Sequence, residues 1–246
     1  PSVTFVLDCE GVLYLDDTAI QGAASVVASL EASGAQLLFC TNNSSRPPAH
    51  LVEKLARLLG YDARPEQVVT SAQAAAREVR EAGMRSAAVL GMEGVVSALH
   101  SEGIELGGVD APAVVVGIDF ALDFEKVRLA ADVVRRGGLF VATNTDATYP
   151  VPGGLWPGAG MVVAAVAAAG GRPPDIVAGK PHLPMVALLR ERAVGEQVIV
   201  VGDRPETDLA LARAGGWRSV AVLTGVTRSA AAIPKDLAPD HVLDSV

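Results

Sequence analysis

Aromatic side chains are scarce, at 4% of the 246 residues, so Ala, Val and Leu must fill whatever core the chain builds. Cysteine is scarcer still: Cys9 and Cys40 are the only two, each at the end of an apolar, strand-like run. That placement reads as buried thiols in a reducing compartment, not as a disulfide framework. There is no basic run, and the formal net charge is −8. Such a balance argues against a surface built for the phosphate backbone of nucleic acid. It leaves room for a small anionic ligand, provided a local site supplies positive charge. No apolar stretch reaches the roughly 20 residues that span a bilayer. The longest lies within AGMVVAAVAAAG and reads as a buried helix. The first residues, PSVTFVLD, lack the basic region and long apolar stretch of a signal peptide. These absences point to a cytoplasmic protein with neither a nucleic-acid nor a membrane partner. Also missing are a Walker A loop, a GxSxG elbow, a CxxC pair and an HExxH motif. The histidines at 50, 100, 182 and 241 show no pairing at metal-ligand spacing.

What is present is a chain half hydrophobic and one-fifth charged, the composition of a well-packed α/β protein. Short apolar runs at 3–7, 36–40, 87–90, 113–118, 139–142, 197–201 and 219–223 predict strands. Helical patterns fall near 22–33, 48–59, 72–82, 94–102, 124–136, 159–169, 183–193 and 206–214. Strand–helix alternation predicts parallel sheets with right-handed crossovers. Continuous runs such as VIVV and AVVVGI suit strands covered on both faces. Small residues between elements at 70–72 and 177–179 mark two linkers. We therefore expect an inserted α/β domain over 73–177, with 1–72 and 178–246 forming the other domain.

Four segments end in polar residues of a particular kind. Residues 3–7 lead to Asp8-Cys9-Glu10-Gly11, and residues 37–40 lead to Thr41-Asn42-Asn43-Ser44. Residues 176–178 lead to Gly179-Lys180-Pro181, and residues 198–201 lead to Gly202-Asp203, with Asp208 five residues on. Ligands of open parallel sheets bind beyond the carboxyl ends of the strands, where all four clusters would gather. Asp8, Glu10, Asp203 and Asp208 would then crowd together with Lys180 as the fixed cation. Repulsion would protonate some of them unless a hard divalent cation joined the group. Mg²⁺ takes oxygen ligands and commonly uses one or two carboxylates plus substrate phosphate oxygens. The chemistry that follows is phosphoryl transfer. One carboxylate attacks phosphorus, a second moves protons, and a hydroxyl, a lysine and backbone N–H groups hold the phosphoryl oxygens.

DxxG after the first strand, TNN after the second, then GKP and GDRxxTD together resemble the four motifs of the haloacid dehalogenase (HAD) superfamily. The spellings GDRPETD and TNNSSR and the large insertion between the second and third motifs are similar to subfamily IIA. This is the NagD-like and 4-nitrophenylphosphatase branch, which includes pyridoxal-phosphate and glycerol-phosphate phosphatases. The likeness covers almost the whole chain. It implies a Rossmann-like core with a large inserted α/β cap and a Mg²⁺-dependent phosphatase acting on a small phosphorylated metabolite. It further implies that Asp8 is the nucleophile, that Thr41, Asn42 and Asn43 meet the substrate, and that Lys180 bridges Asp8 and phosphate. Asp8, Asp203, Asp208 and the backbone carbonyl of Glu10 would surround the metal. The cap loop Thr143-Asn144-Thr145-Asp146 would help choose the substrate, through Asn144 and Asp146, and related caps often form homodimers.

The departure is Glu10, where the family pattern has aspartate as acid/base. Glutamate keeps the carboxyl and adds one methylene, roughly 1.5 Å of reach. Three outcomes are open: a loop that adjusts, an enzyme slow at leaving-group protonation, or a residual site. A competing reading is a catalytically weak protein that binds a phosphorylated metabolite in a regulatory role. A phosphotransferase would need a second phosphate clamp, and no second Lys or Arg cluster is evident.

Overall fold

The strand Val3–Asp8 (VTFVLD) is apolar apart from Thr4 and its terminal Asp8, and it lies inside a six-stranded sheet. A computed structural model describes residues 3–151 and 153–246. The sheet order is His241–Leu243, Arg218–Val222, Gln197–Gly202, Val3–Asp8, Gln36–Thr41 and Val68–Thr70. Val3–Asp8 pairs in parallel with both Gln197–Gly202 and Gln36–Thr41, in a register that sets Leu7 beside Val201 and Asp8 beside Cys40. Arg218–Val222 pairs in parallel with Gln197–Gly202 and with His241–Leu243. Parallel register brings the carboxyl ends of the central strands to one edge, and the polar motifs with them.

The chain divides into two compact units. One holds the described residues up to Thr41, then Pro48–Val69 and Lys180–Val246; the other holds Asn42–Pro47 and Thr70–Gly179. The insertion expected over 73–177 thus compares with a grouping that runs from Thr70 to Gly179 and adds the short segment after Thr41.

In the first unit the helix Pro48–Leu59 presents Leu51, Leu55 and Leu59 to the core at a spacing of four, one side of an amphipathic helix. They meet Leu7, Val27, Leu37 and Phe39, and the Phe39 and Tyr61 rings lie 5.6 Å apart. The helices Ala23–Ala32, Leu183–Arg192 and Ala210–Gly215 complete this unit. The expected helix at 206–214 begins differently, as a π-helical turn over Pro205–Leu209. A small antiparallel flap, Tyr14–Leu15 against Thr18–Ala19, follows the Asp8 turn.

The second unit holds a five-stranded sheet in the order Ile176–Val177, Leu139–Ala142, Ala113–Val116, Ser86–Leu90 and Glu105–Leu106, all paired in parallel. Its core joins Leu90, Val114, Val116 and Phe140 to Val133 and Val134 of the helix Phe124–Arg135 and to Val162, Val163 and Val166 of Ala159–Gly170. That last helix is buried on one face only. The buried helix read from AGMVVAAVAAAG forms and buries Ala159, Val162, Val163 and Val166, while Met161 on its other side is 45% exposed. The helix Ser71–Glu81 opens on a reciprocal cap, with Gln73 N donating to Thr70 Oγ1 at 3.2 Å and Thr70 N donating to Gln73 Oε1 at 2.9 Å. The doubly covered parallel α/β architecture read from the sequence is the one observed.

Candidate active site

In the first unit Lys180 is the hub. Its ammonium donates to Asp8 Oδ1 at 2.6 Å, to Asp208 Oδ1 at 2.6 Å and to the Cys40 carbonyl at 3.4 Å. Lys180 follows Ile176–Val177 closely in sequence, Asp8 ends its strand, and Asp208 lies in the π-helical turn after Gln197–Gly202. The lysine and Asp208 are buried, so their attraction is little screened by water. Burial works against the ammonium, yet Asp208 and Asp8 outweigh it and hold Lys180 well above its ordinary value. Asp208 is satisfied on both sides, because its Oδ2 accepts from Arg204 N at 3.0 Å.

Asp203 is different. Its Oδ2 accepts from Val226 N at 2.5 Å, while Oδ1 is buried without a hydrogen-bond partner among the described residues. Burying an anionic oxygen without a partner is expensive, and native structures avoid it unless something joins the site. Burial, aided by the negative charges of Asp8 and Asp208, pushes Asp203 up to about 7. Burial also pushes Asp8 up to about 6, against the pull of Lys180. One oxygen from each of Asp8, Asp203 and Asp208 falls within 4.8 Å of the others. Three hard carboxylates, one of which also carries an orphaned oxygen, fit a divalent cation of the Mg²⁺ or Ca²⁺ kind.

Glu10 and Thr41 lie in this unit as well. Thr41 ends the strand next to that of Asp8. Glu10 Oε1 accepts from Asp16 N in the flap turn at 2.7 Å, so its carboxylate already has a backbone partner.

The other expected substrate residues belong to the second unit. Asn42 Nδ2 donates to Asp146 Oδ2 at 3.1 Å and to Oδ1 at 3.3 Å. The Asn42 carbonyl accepts from Asn144 Nδ2 and from Ser71 Oγ, both at 2.7 Å. Asn43 Oδ1 accepts from Ser45 N at 2.9 Å and Ser45 Oγ at 2.7 Å, a local turn of the Asx kind. Asn42, Asn144 and Asp146 therefore form one hydrogen-bonded group, with Asn43 beside it in sequence but turned to Ser45. The sequence reading did not single out residues 224–227, although Val226 contacts Asp203. Their signal was available in the strand at 219–223, which ends in Thr-Gly at the same sheet edge as the acidic motifs.

A buried lysine shared by two carboxylates, beside a third carboxylate, at the carboxyl edge of a parallel sheet, is an arrangement whose charges suit a phosphoryl group and a hard cation. Comparison with known proteins identifies the family. Residues 5–105 match the family model described as haloacid dehalogenase-like hydrolase, and residues 177–246 match a second, HAD-hydrolase-like model. The 5'-nucleotidase YutF of Bacillus subtilis is 32% identical, with 98% of this chain and 95% of that protein aligned. The structure of p-nitrophenyl phosphatase from Archaeoglobus fulgidus superposes with a TM-score of 0.89 at 32% identity, covering 98% of this chain and 95% of that one. Glycerol phosphate phosphatase Rv1692 from Mycobacterium tuberculosis, solved with magnesium, gives a TM-score of 0.89 at 32% identity, covering 98% of this chain and 74% of that one. The chain belongs to the haloacid dehalogenase-like hydrolases, in the NagD-like and 4-nitrophenylphosphatase subfamily IIA, and is a phosphoric monoester hydrolase.

Proposed function

We propose that this protein is a Mg²⁺-dependent phosphatase that hydrolyses small phosphomonoesters through a phosphoaspartate on Asp8. The observation that carries this reading is the gathering of the Asp8, Asp203 and Asp208 carboxylates around Lys180, with one Asp203 oxygen left without a partner among the described residues. The relatives' names, which span a nucleotidase, an aryl phosphatase and a glycerol phosphatase, support the reaction class and leave the physiological substrate open.

Asp8, its carboxylate aimed by Lys180, attacks phosphorus as the ester P–O bond breaks. The departing oxygen takes a proton from Glu10. A water then attacks the phosphoaspartate and gives its proton to Glu10, which frees Asp8 and inorganic phosphate. Lys180 and Thr41 hold the phosphoryl oxygens while negative charge spreads over them. Asp8, Asp203, Asp208 and the Glu10 carbonyl would hold the cation, which when bound neutralises charge on the phosphoryl group. Asp208 contributes mainly by orienting Lys180, since both its oxygens are engaged. We assign substrate selection to Asn42, Asn43, Asn144 and Asp146, with 73–177 acting as a cap domain on a core of 1–72 and 178–246. A cytoplasmic location and a homodimer belong to the same reading.

The test is phosphate release from 4-nitrophenyl phosphate, with Mg²⁺ and with EDTA, for the wild-type protein and for Asp8→Asn. Release is expected only from the wild-type protein and only with the cation. Wild-type release no greater than that of Asp8→Asn ends the proposal.

A further inference from the structure

The loop at 224–227 follows the strand Arg218–Val222, the neighbour of Gln197–Gly202 in the sheet, and so reaches the edge where Asp203 stands. Its contacts converge on that one aspartate. Val226 N donates to Asp203 Oδ2 at 2.5 Å, and Thr227 N donates to the Asp203 carbonyl at 3.3 Å. Thr224 Oγ1 donates to the carbonyl of Gly11 at 2.6 Å, which ties the loop to the turn that carries Asp8 and Glu10.

Two glycines close the arrangement. A Cβ on Gly225 would stand 1.9 Å from Asp203 Oδ2 and 2.4 Å from its Cγ. A Cβ on Gly11, whose φ of +85° already favours glycine, would stand 2.6 Å from the same Oδ2. Bare backbone lies against the carboxylate at both points, closer than any side chain would allow. The Asp203 side chain is therefore held in one orientation, with Oδ2 committed to Val226 and Oδ1 presented alone.

We propose that Thr224, Gly225 and Val226 are positioning residues for the cation site, and that their task is to lock Asp203 so that a single oxygen faces the metal. The inference rests on the reading of Asp203 as a metal ligand. A ligand locked before binding loses less conformational freedom on coordination, which raises affinity. A second oxygen tied to backbone also keeps Asp203 from binding the cation through both oxygens.

The measurement is cation binding, separate from turnover. Metal-free protein is titrated with Mg²⁺ while the rise in unfolding temperature is followed, and the half-saturating concentration is extracted. Gly225→Ala, which pushes the carboxylate aside, is expected to raise that concentration about tenfold or more, the scale of changes behind a metal ligand. Thr224→Val keeps the volume, loses the bond to Gly11 and is expected to give a smaller rise; Thr224→Ser, which keeps the hydroxyl, returns it to the wild-type value. At saturating Mg²⁺ the KM for 4-nitrophenyl phosphate stays at the wild-type value in the threonine variants, a split that a general loosening of the fold would not give. If Gly225→Ala does not fold, Thr224→Val decides. Wild-type Mg²⁺ affinity in the folded variants overturns the positioning role while leaving the phosphatase reading intact. A wild-type protein that shows no Mg²⁺-dependent shift overturns both.

Discussion

The Glu10 carboxylate is tethered. Its Oε1 accepts from Asp16 N at 2.7 Å, and Asp16 sits at φ +50°, a left-handed conformation that non-glycine residues rarely adopt. Burial raises the Glu10 pKa, with the Asp16 N–H and Lys54 acting against it. A raised value suits a proton donor working near neutral pH. The extra methylene relative to aspartate carries the carboxyl toward the flap, where this tether holds it. Glu10→Asp should withdraw the carboxyl by roughly 1.5 Å and break the tether. Turnover should then rise more on glycerol phosphate than on 4-nitrophenyl phosphate, because nitrophenolate departs without needing a proton. Steady-state kcat for the two substrates is the check, and an equal or larger gain on the aryl ester would count against Glu10 as the acid. Residue identity made the gathering of Asp8, Lys180, Asp203 and Asp208 legible, since each follows an apolar run whose carboxyl end reaches one sheet edge. It could not reveal that the Asn42 amide would find Asp146, which lies far along the chain and whose hydrogen bond has no local pattern.

Elements were legible in proportion to their length and periodicity. Gln197–Gly202 and Ala113–Val116 are continuous β-branched runs covered on both faces, and they stand where the sequence puts them, although the second ends two residues before the expected 118. Val68–Thr70, Glu105–Leu106 and Ile176–Val177 have three, two and two residues, too few to show any alternation. The hairpin Thr148–Val151 with Gly154–Pro157 carries exposed Leu155 and Trp156, so burial leaves no mark on its pattern. The loop at 224–227 shows its place in the sequence, after a strand that ends at the acidic edge, but not its partner: its donor to Asp203 is a backbone N–H, which every residue but proline carries. The helix Pro48–Leu59 offers a test at this scale. Leu55 is fully buried at its centre among Leu7, Val27 and Phe39, the cluster beneath the Asp8 strand. Leu55→Ala should cost about 2–5 kcal/mol in urea unfolding, the usual penalty for a leucine cavity. A loss below about 1 kcal/mol would show that this helix packs more loosely than its burial implies.

Across the whole molecule the site couples stability to pH and, on the proposed reading, to a cation. Asp8 and Asp203 have folded values of about 6 and about 7, above the ordinary 3.8 of an unfolded aspartate. Between those limits the native state binds more protons than the unfolded chain, so metal-free stability falls as pH rises through the window. The carboxylates that shift the other way do not mask this. Asp17 and Asp132 are held below 3.8 by hydrogen bonds from Arg57 and Arg135. The stability they lend is complete above 3.8 and is lost only in stronger acid. Calorimetric unfolding of metal-free protein should therefore give a lower melting temperature near pH 8 than near pH 5.5. On the proposed reading Mg²⁺ should reverse the order, because a cation held by the native site would compete with the protons there and would stabilise more at the higher pH. The net charge of −8 also adds repulsion as pH rises, and Asp203→Asn separates the two effects. That variant removes one raised group and leaves most of the surface charge in place. It should flatten the pH dependence of the metal-free protein and lose the Mg²⁺ response. A wild-type protein that gains the same number of degrees from Mg²⁺ at both pH values would show that Asp8 and Asp203 are not where the cation meets the protons.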